Sequence, residues 1–252
     1  MIPYHDENET RRTPIITFIL IGLCVFAWLF VQGAGSETML AASVCNLGLI
    51  PGELTGMASV GARFPMGEGL VCALDPGMQA SNVVTSMFLH GSWMHLIGNM
   101  WFLWLFGNNI EDSMTRPRFV AFYLLCGLAA ALLQVVFDPA SIIPMVGASG
   151  AISGVMGAYL VLYPRVRVFT LVPLGFFITS VALPAWFMLI YWAVLQLVGG
   201  FTSVGSEQTG GVAFWAHIGG FVAGVVLVKL FARDRDVQEH RSHHWRPQRV
   251  GW

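Results

Sequence analysis

One serine at the start of an apolar stretch is the residue in this sequence best suited to nucleophilic chemistry. Ser149 lies in Met145–Gly154 (MVGASGAISG), where the only other polar side chain is that of Ser153. A serine hydroxyl becomes a nucleophile only when a general base lies within hydrogen-bonding distance. A Gly-Ala-Ser-Gly string in an apolar helix is, taken alone, more often a packing motif. Ser149 therefore needs partners before it can be treated as catalytic.

Those partners are polar side chains in other apolar segments. His90, His95 and His217 lie in such segments, where an ionisable group is costly and is a functional hypothesis by default. His95 and Asn99 are four residues apart and share a helix face. Since no acidic residue accompanies them, we predict a dyad in which His217 is the base of Ser149. His95, Asn99 and the Ser149 N–H are candidate donors to the oxyanion, and His90 is expected to be structural.

Small residues at helical spacing predict how the dyad would be assembled. Gly150 with Gly154, and Gly220 with Gly224, are small-xxx-small pairs that allow two helix backbones to touch. We therefore expect these two helices to pack closely enough for His217 to reach Ser149. The supporting residues in this prediction are Gly147, Gly150, Ser153, Gly220 and Gly224.

The composition indicates an integral membrane protein. Of 252 residues, 56% are hydrophobic and 11% are charged, whereas a soluble domain carries about 25% charged residues. A net charge of -1 argues against a nucleic-acid partner. The cysteine spacings match no zinc or redox motif, so we expect no metal site. The first apolar run lacks a clear small-residue cleavage site, so we expect no cleaved signal peptide.

Charge placement predicts the topology. Arginines lie at positions 11 and 12 before the first span, in the short segments at Arg116 and Arg165, and in the C-terminal tail, which places these segments in the cytoplasm. The uncharged segment 168–206 is too long for one ordinary crossing. It could form one crossing preceded by a segment at 168–183 that lies at the inner surface or is partly re-entrant. Alternatively, it could form two short crossings hinged near Pro184. Only one crossing keeps the basic C-terminal tail inside. The predicted spans are 15–31, 84–106, 119–137, 147–163, 184–200 and 212–231.

This topology predicts a simple domain organisation. Residues 1–13 form a cytoplasmic tail, 14–233 a transmembrane domain with a first outer loop at about 33–80, and 234–252 a basic, solvated cytoplasmic tail. The outer loop contains Cys45 and Cys72, which can form a disulfide if the loop faces an oxidising compartment. Ser149, His217, His95 and Asn99 then all lie in the outer leaflet.

The same residues resemble the rhomboid family of intramembrane serine proteases. The matching segments are His90–Asn99 (HGSWMHLIGN), Gly147–Gly150 (GASG) and Ala216–Gly220 (AHIGG), and the likeness extends over about residues 15–231. The resemblance implies an all-α membrane protein, a six-transmembrane-helix rhomboid-like bundle, in a bacterial inner membrane. Some members carry an aromatic residue four positions after the nucleophile, packed on the imidazole. Here that position is Ser153, whose hydrogen bond is expected to replace the ring.

The resemblance also implies an activity. It predicts a serine-type endopeptidase that cleaves transmembrane protein substrates within the lipid bilayer, without a small-molecule cofactor. Ser149 would be the nucleophile and His217 the base, with His95 and Asn99 in the oxyanion hole. Our own hypothesis for access is that substrate enters between the second and fifth spans and that an outer loop at about 205–211 caps the dyad. The alternatives are a catalytically silent rhomboid-like protein that binds transmembrane helices, and a small transporter.

Overall fold

The computed structural model describes residues 2–67, 69–74, 77, 79–174, 177–203 and 212–244. The predicted capping loop at 205–211 therefore lies outside the described residues. In chain order the elements are β1 (Ile2–Asp6), α1 (Ile15–Phe26), α2 (Glu37–Leu47), α3 (Pro51–Thr55), β2 (Arg63–Gly67), β3 (Leu70–Ala73), α4 (Asn82–Thr85), α5 (Trp93–Phe102), α6 (Asn108–Asp112), α7 (Arg116–Phe137), α8 (Ser149–Leu162), β4 (Arg167–Leu174), β5 (Phe177–Pro184), α9 (Ala185–Ser203), α10 (Phe214–Phe231) and α11 (Asp234–His244).

Three of the described helices, α7, α9 and α10, are long and apolar enough to cross a membrane. Two shorter apolar helices accompany them. One is α8, and the other is the segment Ile15–Val31, in which α1 continues as a π-helix. The predicted second span is not one regular helix. Its chain is extended at Leu89, and α5 begins at Trp93. A π-helical segment then joins α5 to α6.

The centre of the fold is α8, which packs against α7 and α10. All of residues 150–159 are buried. Contact between α8 and α10 is direct at the backbone, because a Cβ atom at Gly220 or Gly224 would overlap the carbonyl oxygen of Gly150 or Gly154. The small-residue spacing therefore has the packing role that the sequence predicts for it. This contact holds Ser149 and His217 at adjacent helix ends.

Replacing Gly224 by valine is expected to destabilise the protein, because the added side chain has to push α10 away from α8. Overpacking of a filled core costs about 1–3 kcal/mol, and a clash with backbone has little room to relax. The measurement is the temperature of half-unfolding in detergent. Gly22→Val on α1 is the matched control, since a Cβ there meets nothing within 4 Å. Equal unfolding temperatures for the two variants would contradict the expected close contact.

The prediction of an all-α fold is confirmed only in part, because the described chain is mostly helical but also contains two β-sheets. The segment that sequence analysis placed at the inner surface or partly in the membrane forms the hairpin β4–β5. The N-terminal strand β1 pairs with β4, giving the order β1-β4-β5. Hydropathy alone treats this uncharged segment as apolar, whereas its β-branched and aromatic residues favour strands. A single long helix, α9, follows the hairpin.

The segment at residues 11–12 and the helix α11 are held against the body rather than freely solvated. Asp112 accepts hydrogen bonds from the Arg11 N–H (2.9 Å) and Arg12 Nε (2.8 Å), and its Oδ2 lies 2.6 Å from Nδ1 of the buried His240 on α11. Burial acts to raise the pKa of Asp112, but the bonds with His240 and Arg12 outweigh it and hold the pKa below its usual range. The C-terminal segment through α11 is therefore part of the fold.

A second carboxyl group fixes β1. Asp6 Oδ2 accepts hydrogen bonds from the Tyr159 hydroxyl (2.6 Å) and from Asn109 Nδ2 (3.0 Å). Burial raises the pKa of Asp6 from 3.8 to about 6, although the Tyr159 bond and the nearby His5 and His240 oppose the rise. The neutral form of the Asp6 carboxyl is therefore favoured when β1 is docked.

Docking of β1 is consequently expected to weaken as the pH rises. A folded pKa above the unfolded one means that the protonated carboxyl stabilises docking, fully below about pH 4 and progressively less as the pH passes through about 6. Amide exchange of β1, corrected for its intrinsic pH dependence, should be about tenfold slower at pH 5 than at pH 8. Asp6→Asn should remove most of this difference, while the β2–β3 amides serve as the internal control. The same pH dependence in Asp6→Asn would assign the effect to another group.

The segment predicted to be the first outer loop carries its own structure. It contains α2, α3 and the hairpin β2–β3, in which Arg63 pairs with Ala73. The sulfur atoms of Cys45 on α2 and Cys72 on β3 are joined, with 5.5 Å between the Cα atoms. This bond fastens the hairpin to α2. Asn82 and Thr85 donate hydrogen bonds to backbone carbonyls of residues 46–48 and attach the loop to α4.

Candidate active site

Ser149 and His217 meet at the N-terminal ends of α8 and α10. Ser149 is the first residue of α8, and His217 lies in the first turn of α10. The imidazole Nε2 is 2.8 Å from the serine Oγ. The first residue of a helix has no intrahelical acceptor for its N–H, so the Ser149 N–H is directed out of the helix end. The predicted nucleophile and base are thus brought together.

The other nitrogen of the imidazole contacts a residue that sequence analysis did not select. His217 Nδ1 lies 2.8 Å from Gln196 Oε1 on α9. Trp192, one helical turn earlier on α9, packs beside the imidazole with ring centroids 5.8 Å apart. Gln196 is neutral, so it is not among the ionisable side chains in apolar segments that suggest function. Its amide, the only one in α9, is the signal that could have found it.

Ser153 does not take the place of the missing aromatic ring. Its hydroxyl donates to the Ser149 carbonyl oxygen at 2.6 Å, one turn back along α8, and so contacts the backbone rather than the imidazole. The expectation that a Ser153 hydrogen bond replaces the stacking is therefore wrong. The residue that flanks the imidazole, Trp192, comes from α9. Ser153 instead buttresses the first turn of the helix that presents Ser149.

His95 and Asn99 line the space in front of Gly147. Gly147 has φ +130°, and a Cβ there would lie 2.8 Å from His95 Nε2 and 3.5 Å from Asn99 Nδ2. Only glycine leaves this space open. Asn99 Nδ2 is buried without a hydrogen-bond acceptor among the described residues. A buried donor without an acceptor is costly, so this amide is suited to a group that arrives during a reaction.

The tautomer of His95 follows from its neighbour. Its Nδ1 accepts a hydrogen bond from the Gly91 N–H at 3.3 Å, which leaves the proton on Nε2, the nitrogen that faces Gly147. Ser92 caps α5 by accepting from the His95 N–H at 3.1 Å and so sets where the helix starts. His95 and Asn99 consequently present two donors, one turn apart, to the same space.

His90 supports the site through its backbone. Its N–H donates to Gln32 Oε1 (2.8 Å) and its carbonyl accepts from Gln32 Nε2 (2.7 Å). The ring is fully buried and stands edge-on to that of His95, with 5.1 Å between the ring centroids. His90 therefore has the expected structural role, but through its main chain. The side-chain amide of Gln32 makes both of the hydrogen bonds that hold this main chain in place.

The arrangement has the parts needed for acyl transfer. A serine hydroxyl lies against an imidazole, and the Asn99 amide and His95 Nε2 converge on an open space beside it. Such donors stabilise the negative charge that develops on a carbonyl oxygen in the transition state. Among the described residues, no three His, Cys, Asp or Glu side chains are grouped so as to hold a metal ion.

Comparison with known families assigns the chain to one of them. Residues 77–234, which include all four of these side chains, match the model of the rhomboid domain. The chain belongs to the rhomboid family. It is therefore an integral membrane protein, consistent with its apolar helices.

Several curated rhomboids are similar to this rhomboid. The Rhomboid-like protease 5 of Toxoplasma gondii is 33% identical over 164 residues, which are 63% of this chain and 17% of that protein. The Rhomboid protease GluP of Bacillus subtilis is 30% identical over 142 residues, 56% of this chain and 24% of that protein. The mitochondrial Rhomboid protein 1 of Saccharomyces cerevisiae is 27% identical over 168 residues, 64% of this chain and 44% of that protein. The chain thus spans less than half of each of these relatives.

Proposed function

We propose that this rhomboid is an intramembrane serine endopeptidase that cleaves transmembrane segments of other membrane proteins with a Ser149–His217 dyad. The observation that carries the proposal is the 2.8 Å contact between Ser149 Oγ and His217 Nε2 beside the free Asn99 donor. Two of the three relatives described above have the word protease in their names. A silent, helix-binding rhomboid would have no need to keep both members of the dyad in contact.

The geometry supports a conventional acyl-transfer sequence. Ser149 Oγ attacks the scissile carbonyl carbon while His217 Nε2 takes the hydroxyl proton. The resulting oxyanion lies in front of Gly147, where Asn99 Nδ2, His95 Nε2 and the Ser149 N–H donate to it. When the C–N bond breaks, His217 returns the proton to the leaving amine. Water then attacks the acyl-enzyme ester and gives a proton to His217, which passes it to Ser149 Oγ as the C–O bond breaks and the acid product leaves.

The position of the dyad bears on the substrate. In the proposed six-span topology of a bacterial inner membrane, with both termini in the cytoplasm, Ser149 and His217 lie near the outer surface. A peptide bond inside a helix has its carbonyl hydrogen-bonded and is shielded by the neighbouring turns. We therefore expect cleavage near the outer end of a substrate helix, at small or helix-breaking residues where the backbone unwinds.

The test is cleavage by the purified protein in liposomes. A single-span model substrate with Gly or Pro near its outer end should yield two fragments, and mass spectrometry should place the cut within the outer half of the span. The same substrate with leucines in place of those residues is the matched control and should be cut more slowly. Tight binding of intact substrate without fragments would instead indicate the silent, helix-binding alternative.

A further inference from the structure

The least expected polar residue around the dyad is Gln196. It lies in α9, an apolar helix long enough to cross the membrane, and it is the only amide side chain in that helix. A polar side chain inside a membrane is retained where it has a partner or a function. Its partner here is the Nδ1 atom of His217.

The contact has a definite chemical consequence. An amide oxygen can only accept a hydrogen bond, so the 2.8 Å approach of Gln196 Oε1 places the imidazole proton on Nδ1. The Nε2 lone pair is then directed at the Ser149 hydroxyl, also 2.8 Å away. With the opposite tautomer, Nε2 would already carry a proton and could not accept the one from Ser149. The orientation and the protonation state needed for a general base thus come from the same bond.

We propose that Gln196 is the positioning residue of the dyad, with the part that a carboxylate plays in a Ser-His-Asp triad. It holds His217 in the Nδ1–H tautomer and, through its amide dipole, stabilises the imidazolium formed during catalysis. A neutral amide does this without placing a charge in an apolar site, where charge is costly. Trp192, on the same face of α9, restricts the tilt of the ring. This inference rests on the proposed protease function.

Two substitutions separate positioning from packing. Gln196→Leu keeps the approximate size and removes the acceptor, whereas Gln196→Glu restores an acceptor of nearly identical shape. The control is Gln134→Leu on α7, because Gln134 Oε1 accepts from the Ala216 N–H at 3.2 Å and contacts the backbone next to His217, not its ring. The readouts are kcat and KM for the model substrate and the ¹⁵N chemical shifts of His217, assigned with His217→Ala.

In Gln196→Leu, kcat is expected to fall about 10- to 100-fold with KM within about twofold, as for loss of one hydrogen bond to a group that becomes charged. Gln196→Glu should recover most of kcat, and Gln134→Leu should keep it. The ¹⁵N shifts should show His217 protonated on Nδ1 in the wild type and a mixture of tautomers in Gln196→Leu. The proposal would be overturned if kcat were unchanged in Gln196→Leu or did not recover in Gln196→Glu. It would also be overturned if the wild-type His217 imidazole carried its proton on Nε2. An inactive wild type would instead contradict the protease function, and the shifts would still decide the tautomer.

Discussion

Ser149→Ala is expected to abolish cleavage of the model substrate. The substitution removes only the Oγ that lies 2.8 Å from His217, so no acyl-enzyme can form. Loss of a catalytic serine typically lowers kcat by about a million-fold. The first turn of α8 should survive, because its buttressing hydrogen bond runs from Ser153 to the main-chain oxygen of residue 149.

Binding measurements complete this experiment. The Ser149→Ala protein should bind the uncut substrate with an affinity similar to that of the wild type, since the side chain contributes little to the surface that a helix would contact. Ser153→Ala is the matched serine control on the same helix, and it should retain activity with reduced stability. Continued cleavage by Ser149→Ala at a rate near the wild type would remove Ser149 from the mechanism.

The second large effect is expected from the oxyanion donor Asn99. Asn99→Ala should lower kcat by about 100- to 1000-fold, the usual consequence of deleting one such donor. KM should change little, because the donor gains its partner mainly in the transition state. Folding should not suffer, since Asn99 Nδ2 is buried without an acceptor among the described residues and its removal relieves a cost.

Two further variants sharpen that experiment. Asn99→Asp keeps the shape but places an acceptor where negative charge develops, so its loss of kcat should be at least as large as in Asn99→Ala. Asn46→Ala is the control, because Asn46 is exposed and lies on α2, in the predicted outer loop, rather than on a helix that carries the dyad. Equal kcat for Asn99→Ala and Asn46→Ala would exclude Asn99 from the oxyanion site.

Much of the helical frame could be predicted from sequence, for a simple physical reason. Charges mark where the chain leaves the membrane, so the predicted spans 119–137 and 212–231 lie close to α7 and α10. His217 and Ser149 were predictable because a polar group at membrane depth has few structural explanations. Their contact could be expected from the glycine spacing, since helices that lack side chains at the interface can approach closely.

The features that sequence analysis missed depend on tertiary contacts. Gln196 is neutral, and only the packing of α9 against α10 shows that it meets an imidazole. The hairpin β4–β5 lies in an uncharged segment, where hydropathy does not distinguish strand from helix. Asp6 and His240 lie in polar segments that resemble solvated tails, yet each is buried against partners more than 100 residues away in sequence.

Labelling by a fluorophosphonate probe is the most direct test of the central claim, because the probe reacts with a serine whose hydroxyl is activated by a base and loses fluoride as the Oγ–P bond forms. We expect one modification per chain, located at Ser149 by mass spectrometry of the detergent-purified wild type. Labelling should be absent in Ser149→Ala and greatly slowed in His217→Ala. Labelling of a different serine, or an unchanged rate in His217→Ala, would contradict the account of a Ser149–His217 dyad.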